Sequence, residues 1–157
     1  MHELYVLLND IRSTHNVGAI LRTSDGVGAR KVYLCGCTPT PIDRFGRKRT
    51  DITKTSLGAE DMIEWEYVED VLQLIARLQK DGVRVVAVEQ SIRSVPYTTL
   101  TLDRPTAIVL GEEVHGLPDG ILAVCDVVAE IPMYGKKESL NVSVAAGVVL
   151  YELVKGK

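Results

Sequence analysis

Short apolar runs alternate along the chain with segments whose apolar residues recur every three or four positions. The runs are LYVLL at 4–8, KVYLC at 31–35, VRVVAVE at 83–89, TAIVLG at 106–111 and DVVAEIP at 126–132. They are rich in Val, Ile and Tyr and bounded by Gly, Pro or Asp, which is the pattern of strands. Between them, 16–28 places Val17, Ile20, Leu21 and Ser24 on one helical face. The stretch 68–82 sets Val68, Val71, Leu72, Ile75 and Leu78 at helical spacing and stops at Gly82. A short helix is expected after Pro118 and a last one from about Ser139 to Val154. Nearly continuous apolar strands alternating with helices imply an α/β fold, a mainly parallel sheet with helices on both faces. The stretches 36–58 and 90–104 read as long loops, where function tends to sit. No repeat, low-complexity tract or linker interrupts the pattern, so 1–157 is expected to form one domain.

Composition narrows the class. Apolar residues make up 46% and charged residues 25%, the balance of a soluble globular protein. No apolar run reaches the ~18 residues of a membrane span. The start, MHELYVLLNDIRS, lacks a basic n-region and a cleavage site, so no signal peptide is expected. Three cysteines, with Cys35 and Cys37 one residue apart, suggest neither a disulfide framework nor a zinc site. They read as reduced thiols of a cytoplasmic protein, and no metal is expected. The net charge of −3 excludes a global basic field. Locally, 43–54 carries Arg44, Arg47, Lys48, Arg49 and Lys54 against Asp43 and Asp51, a balance of +3 that leaves −6 for the remainder. Such a run is either a solvated loop or a phosphate-contacting one, and Phe45 within it could stack on a base.

In parallel α/β sheets, ligands bind at the carboxyl ends of the strands. Three polar clusters fall there: NDIRSTHNVGAILRT at 9–23, GEEVHGLP at 111–118, and IPMYGKKESLNVSVAAGVVLYEL from 131. In the last, Ser139 and Asn141 open an apolar helix. Ser139 could be its N-cap, or the exposed first turn and both side chains could face a ligand.

Taken together, the clusters resemble the three motifs of the SpoU, or TrmH-like, branch of the SPOUT methyltransferases. The first has Asn16, Gly18 and Arg22-Thr23. The second has Gly111, Glu113 and Gly116. The third has Ile131-Pro132-Met133, then Ser139-Leu140-Asn141-Val142-Ser143-Val144-Ala145. The resemblance spans Asn9 to Leu153. It implies a C-terminal trefoil knot, S-adenosylmethionine as cofactor, a homodimer, and methylation of a ribose 2′-hydroxyl in transfer or ribosomal RNA.

The resemblance also implies site residues. The catalytic set would be Arg22, Asn16, Glu113, Ser139 and Asn141. The cofactor would lie against Leu110, Gly111, Glu113, Ile131 and Met133, and against Ser139, Leu140 and Asn141. Gly111, Gly116 and Gly135 would let the backbone approach it closely. RNA would be held by Arg12 and by Arg44, Arg47, Lys48 and Arg49. Glu112 and His115 match variable positions and are left out. Glu113 would hold Arg22 of the partner subunit or the substrate ribose. Asn16 would orient Arg22 or the ribose, or cap the first helix. The dimer would join the first and last helices through Val17, Ile20 and Leu21 and through Val144, Val148, Val149 and Tyr151. Arg22 is read as a cation that grips a phosphate and steadies the developing alkoxide. A guanidinium does not give up its proton near neutrality, so Arg22 is not read as the base.

A conventional Rossmann enzyme would need a glycine-rich turn after the first strand, and NDIRSTHN has none. A catalytically weak or inactive RNA-binding relative, or a base-directed SPOUT enzyme, are the remaining alternatives. The intact five-residue set argues against the first, and Arg22 with Ser-Leu-Asn against the second. With no appended RNA-binding domain expected, the grip on RNA should come from the catalytic domain itself.

Overall fold

The structure is a computed structural model and describes residues 2–157. The chain runs β1 (Leu4–Asn9), α1 (Thr14–Gly26), β2 (Lys31–Cys35), α2 (Thr50–Ser56), α3 (Ala59–Met62), β3 (Trp65–Val68) and α4 (Val71–Lys80). It continues β4 (Arg84–Val88), β5 (Val95–Pro96), β6 (Thr106–Leu110), α5 (Asp119–Val124), β7 (Val127–Glu130) and α6 (Val142–Val154). The strands form one sheet in the order β3-β2-β1-β6-β4-β7-β5, and every pairing is parallel.

The central strands are apolar on both faces because each face is covered. Leu4, Val6 and Leu8 of β1 join Ile108 and Leu110 of β6 in a core closed by α1 and α6. Leu7, with Val85, Ala87 and Val109, faces the other way and packs on α4 and α5. Alternation along each strand thus feeds two cores.

All five expected strands are present, and two more flank them. β3 is WEYV, a half-exposed edge with no apolar run, and β5 is two exposed residues. The expected loop 36–58 contains α2, which buries Ile52 as its one large apolar side chain. One such residue makes no readable period.

Helix starts differ from the sequence reading for local reasons. α4 begins at Val71 because the Asp70 carboxylate accepts from the N–H groups of Leu72 and Gln73. Val68 therefore ends β3, Leu72 is exposed, and Leu74 takes the core position. α6 begins at Val142, with Asn141 as its N-cap. Ser139 lies two residues before that cap, so its capping role is corrected.

The apolar face expected to bridge two subunits is also corrected. Val17, Ile20, Leu21 and Val149 are fully buried in the chain's own core. On α6, Val144 and Tyr151 remain exposed. Gly18 has a packing role: a Cβ there would lie 2.0 Å from Thr55 Oγ1 and 2.4 Å from the Ile52 carbonyl oxygen. α2 rests directly on α1 at this point. Among the described residues, no helix is long and apolar enough to cross a membrane.

Candidate active site

The site forms where β1, β4, β6 and β7 end. Asp10 follows β1 in a left-handed conformation, φ 55°, which turns the chain off the sheet. Its carboxylate accepts from Cys37 N at 2.9 Å, tying this turn to the one after β2. Ser13 then caps α1, its hydroxyl accepting from Asn16 N at 3.2 Å. Asn16 is therefore inside the helix rather than its cap, and its amide is left to bond elsewhere.

That amide joins the three clusters. Asn16 Nδ2 donates to Glu113 Oε1 at 3.2 Å, and Asn141 Nδ2 donates to Asn16 Oδ1 at 3.3 Å. Asn141 Oδ1 in turn accepts from Ser143 N at 2.8 Å, which is its capping bond. Glu113 also accepts from Arg12 N at 3.3 Å and Ser13 N at 3.2 Å. A carboxylate beside the first N–H groups of a helix is favoured by the helix dipole as well. Partial burial opposes its ionisation. The bonds from Asn16, Ser13 and Arg12 outweigh that and hold the carboxyl below its ordinary range. Glu113 thus fastens α1 to the end of β6, within the single chain.

The loop after β6 folds back on itself. A Cβ on Gly111 would stand 2.5 Å from the Gly116 carbonyl carbon. Gly116 has φ +68°, and a Cβ on it would meet the Glu89 carboxylate at 1.9 Å. Glu89 accepts from Leu117 N at 3.0 Å and anchors the loop to the end of β4. These two glycines thus close the loop on itself and on Glu89, and both line the cleft that the loop borders. A Cβ on Gly135 would meet nothing within 4 Å.

These elements enclose a cleft of about 480 Å³. Leu110, Gly111 and Glu113 line it from β6, and Ile131 and Met133 from the segment after β7. Ser139, Leu140 and Asn141 line it from the approach to α6. Glu112 and His115, passed over in the sequence, are in the lining too, with Glu89, Glu130 and Glu138. Glu89 and Glu130 stand at strand ends, the signal that could have found them. Glu112 loses some hydration, yet the N–H groups of Val114 and His115 and the His115 ring hold its carboxyl low. The lining therefore has an apolar part (Val88, Leu110, Ile131, Leu140, Val142) and five carboxylates, with no Lys or Arg. Such a cleft suits a ligand with a flat apolar part and a net positive charge.

Arg22 is not in the cleft. It lies in a second, open groove with His15, Lys54, Thr55 and Tyr151. Within one chain Arg22 thus faces a different hollow from Glu113 and Asn141, the two cleft residues that Asn16 bonds.

The 43–49 loop is a built turn. Ile42 and Lys48 pair antiparallel, and Asp43 accepts from Phe45 N at 2.8 Å and Arg47 N at 3.0 Å. The guanidiniums of Arg44 and Arg47 lie 4.8 Å and 5.0 Å from the centre of the Phe45 ring, which is 66% exposed. Arg47 pairs with Asp43, Lys48 with Asp61, and Arg49 with Asp51. These cations fasten the loop as well as charging it. Burial pushes the Cys35 thiol up to about 12 and the Cys125 thiol to about 11. Among the described residues, no group of His, Cys, Asp and Glu is placed to hold a metal.

Three comparisons bear on this site. The model of a family described as SpoU rRNA Methylase matches residues 3–151. The chain is 32% identical to the tRNA (guanosine(18)-2′-O)-methyltransferase of Aquifex aeolicus over 96% of its own length and 68% of that enzyme's. It is 37% identical to the 23S rRNA (guanosine-2′-O-)-methyltransferase RlmB of Xylella fastidiosa over 97% of its own length. It spans only 58% of that relative. Among solved structures, the AdoMet-bound rRNA methyltransferase of Sinorhizobium meliloti superposes with a TM-score of 0.84 at 30% identity, covering 97% of this chain and 57% of that one.

Proposed function

The chain belongs to the SpoU rRNA methylase family, and from that premise we propose that it methylates a ribose 2′-hydroxyl of transfer or ribosomal RNA, using S-adenosylmethionine. The observation that carries this is the strand-end cleft, whose walls are joined by the Glu113–Asn16–Asn141 bonds.

The cleft fits the cofactor chemically. S-adenosylmethionine has a flat adenine, and its sulfonium and ammonium outweigh its one carboxylate. Leu110, Ile131 and Leu140 would sandwich the adenine, and the five glutamates complement the positive charge. When bound, the cofactor supplies a methyl group that is already electrophilic, so no metal is needed. The chain's own residues then position the ribose and stabilise its oxygen as the proton leaves. Ser139 and Asn141, at the cleft wall, orient the incoming ribose. Arg22 remains a cation, grips the neighbouring phosphate with two parallel N–H bonds and stabilises the oxygen as its proton leaves to phosphate or water.

Arg22 reaches that position from a second subunit. The groove around it exposes Tyr151 at 55% and Leu57 at 65%, and Val144 on the same helix as Tyr151 is 51% exposed. Covering these with a second copy sets Arg22 of the partner subunit at this chain's cleft. The homodimer interface therefore centres on Val144 and Tyr151 of α6. The segment 131–141 forms the trefoil knot. In support, β7 lies beyond β4 from β6, yet the helix that follows it packs on α1. Arg12 and the Arg44–Phe45–Arg47 turn take RNA, with Lys48 and Arg49 holding that turn in shape. The enzyme works in the cytoplasm, where its RNA substrates are.

The test is a map of 2′-O-methyl sites in total RNA from cells with and without the protein. Loss of a discrete 2′-O-methyl group is expected. An intact 2′-O-methyl map with a missing base methyl would contradict the ribose assignment.

A further inference from the structure

Between Met133 and Glu138, which line the cleft, the chain bulges outward through Tyr134, Gly135, Lys136 and Lys137. Tyr134 is 94% exposed, more than Phe45 at 66% or Tyr151 at 55%. The next residue is open too, since a Cβ on Gly135 would meet nothing within 4 Å. Among the described residues, Lys136 and Lys137 have no carboxylate at ion-pair distance. Arg47, Lys48 and Arg49 each have at least one. Two cations without an ion-pair partner thus lie in the chain between lining residues Met133 and Glu138, outside the basic run.

The acidic cleft sharpens the point. Five carboxylates repel a phosphate chain, so RNA must run along the lip and present only its ribose inward. A bare aromatic face with two free ammonium groups is what an unpaired stretch of RNA needs: a surface for one base and countercharge for its phosphates. In a duplex both base faces are already covered. We infer that Tyr134 stacks on an unpaired nucleobase next to the methylated ribose, with Lys136 and Lys137 on the flanking phosphates. This rests on the RNA methyltransferase reading above.

The test uses Tyr134→Phe, Tyr134→Leu and the double variant Lys136→Ala/Lys137→Ala. The binding probes are a short single-stranded oligoribonucleotide of mixed sequence and the same strand annealed to its complement. Calorimetry with S-adenosylmethionine checks that the cleft is intact in each variant. Tyr134→Leu should weaken single-strand binding about five- to hundred-fold, the usual range for one stacked base, while Tyr134→Phe stays near wild type. The lysine variant should lower the log affinity versus log salt slope by up to about 1.4 units. In methylation assays on total RNA lacking the modification, Tyr134→Leu should raise KM for RNA more than it lowers kcat. Single-strand affinity in Tyr134→Leu equal to wild type, or equal losses in Leu and Phe, would overturn the stacking role. A wild-type protein that methylates no RNA would instead overturn the activity itself.

Discussion

Asn16 and Asn141, 125 positions apart in the chain, are bonded side chain to side chain at 3.3 Å. The same Asn16 amide holds Glu113 through its nitrogen. One residue on α1 thereby fixes both walls of the cleft, and each wall residue has a second local duty. Asn141 caps α6, and Glu113 holds the entry to α1 through the N–H groups of Arg12 and Ser13. Cleft geometry and helix stability are coupled through these three side chains.

Asn141→Ala should therefore lower both stability and cofactor affinity. Losing the cap costs about 1 kcal/mol. Denaturant unfolding and calorimetry with S-adenosylmethionine measure the two effects. Asn16→Ala should show a non-additive loss with it, a coupling of about 0.5–3 kcal/mol in the double-mutant cycle. Strictly additive losses would mean the Asn–Asn bond carries no weight.

Glu113 should give the fold a pH dependence of known sign. Its carboxyl is held low in the folded chain, so the unfolded chain takes up the proton first. Its stabilisation is complete above the ordinary carboxylate range and is lost as pH falls through the lowered folded value. Thermal melts of wild type and Glu113→Gln should differ most near neutrality and converge in acid. A gap that widens on acidification would reverse the assignment.

Gly18→Ala should destabilise the protein by about 1–3 kcal/mol through overpacking. Adding Thr55→Ala should rescue only part of the loss, because the Ile52 carbonyl oxygen would still stand 2.4 Å from the new Cβ. Full rescue would place all the strain on the hydroxyl.

Arg22→Ala should leave cofactor binding intact and abolish methyl transfer, and Arg22→Lys should be poor because a point charge lacks the planar fork. Mixing Arg22→Ala with Asn141→Ala subunits should restore activity to about a quarter of wild type, as random pairing of a two-fold dimer requires. A mixture as dead as its parts would place Arg22 in its own chain's site.

The five central strands were legible because burial on both faces leaves continuous apolar runs. β3 and β5 were not, since an edge of alternating polarity and a two-residue pairing leave no such signal. The cofactor candidates came from the second and third motifs at strand ends, and the fold brings them to one hollow, whereas Arg22 of the first motif faces another groove. Their division of labour was hidden. Ser139 was the natural cap by composition, but the cap is Asn141, because the chain turns into the helix only there. Gly18 and Gly111 stood in motifs, yet what surrounds each is the chain itself, which only three-dimensional packing reveals. The basic run was visible as charge, whereas its pairing with Asp43, Asp51 and Asp61 depends on how α2 and α3 fold beneath it.

The most direct test of ribose methylation is a single reaction: purified protein, S-adenosylmethionine labelled in its methyl group, and total RNA from cells lacking the protein. The RNA is then digested to nucleosides and separated by mass. Label should appear in a 2′-O-methylnucleoside, without added metal, and vanish with Arg22→Ala. Label in a base-methylated nucleoside, or equal labelling by Arg22→Ala, would contradict it.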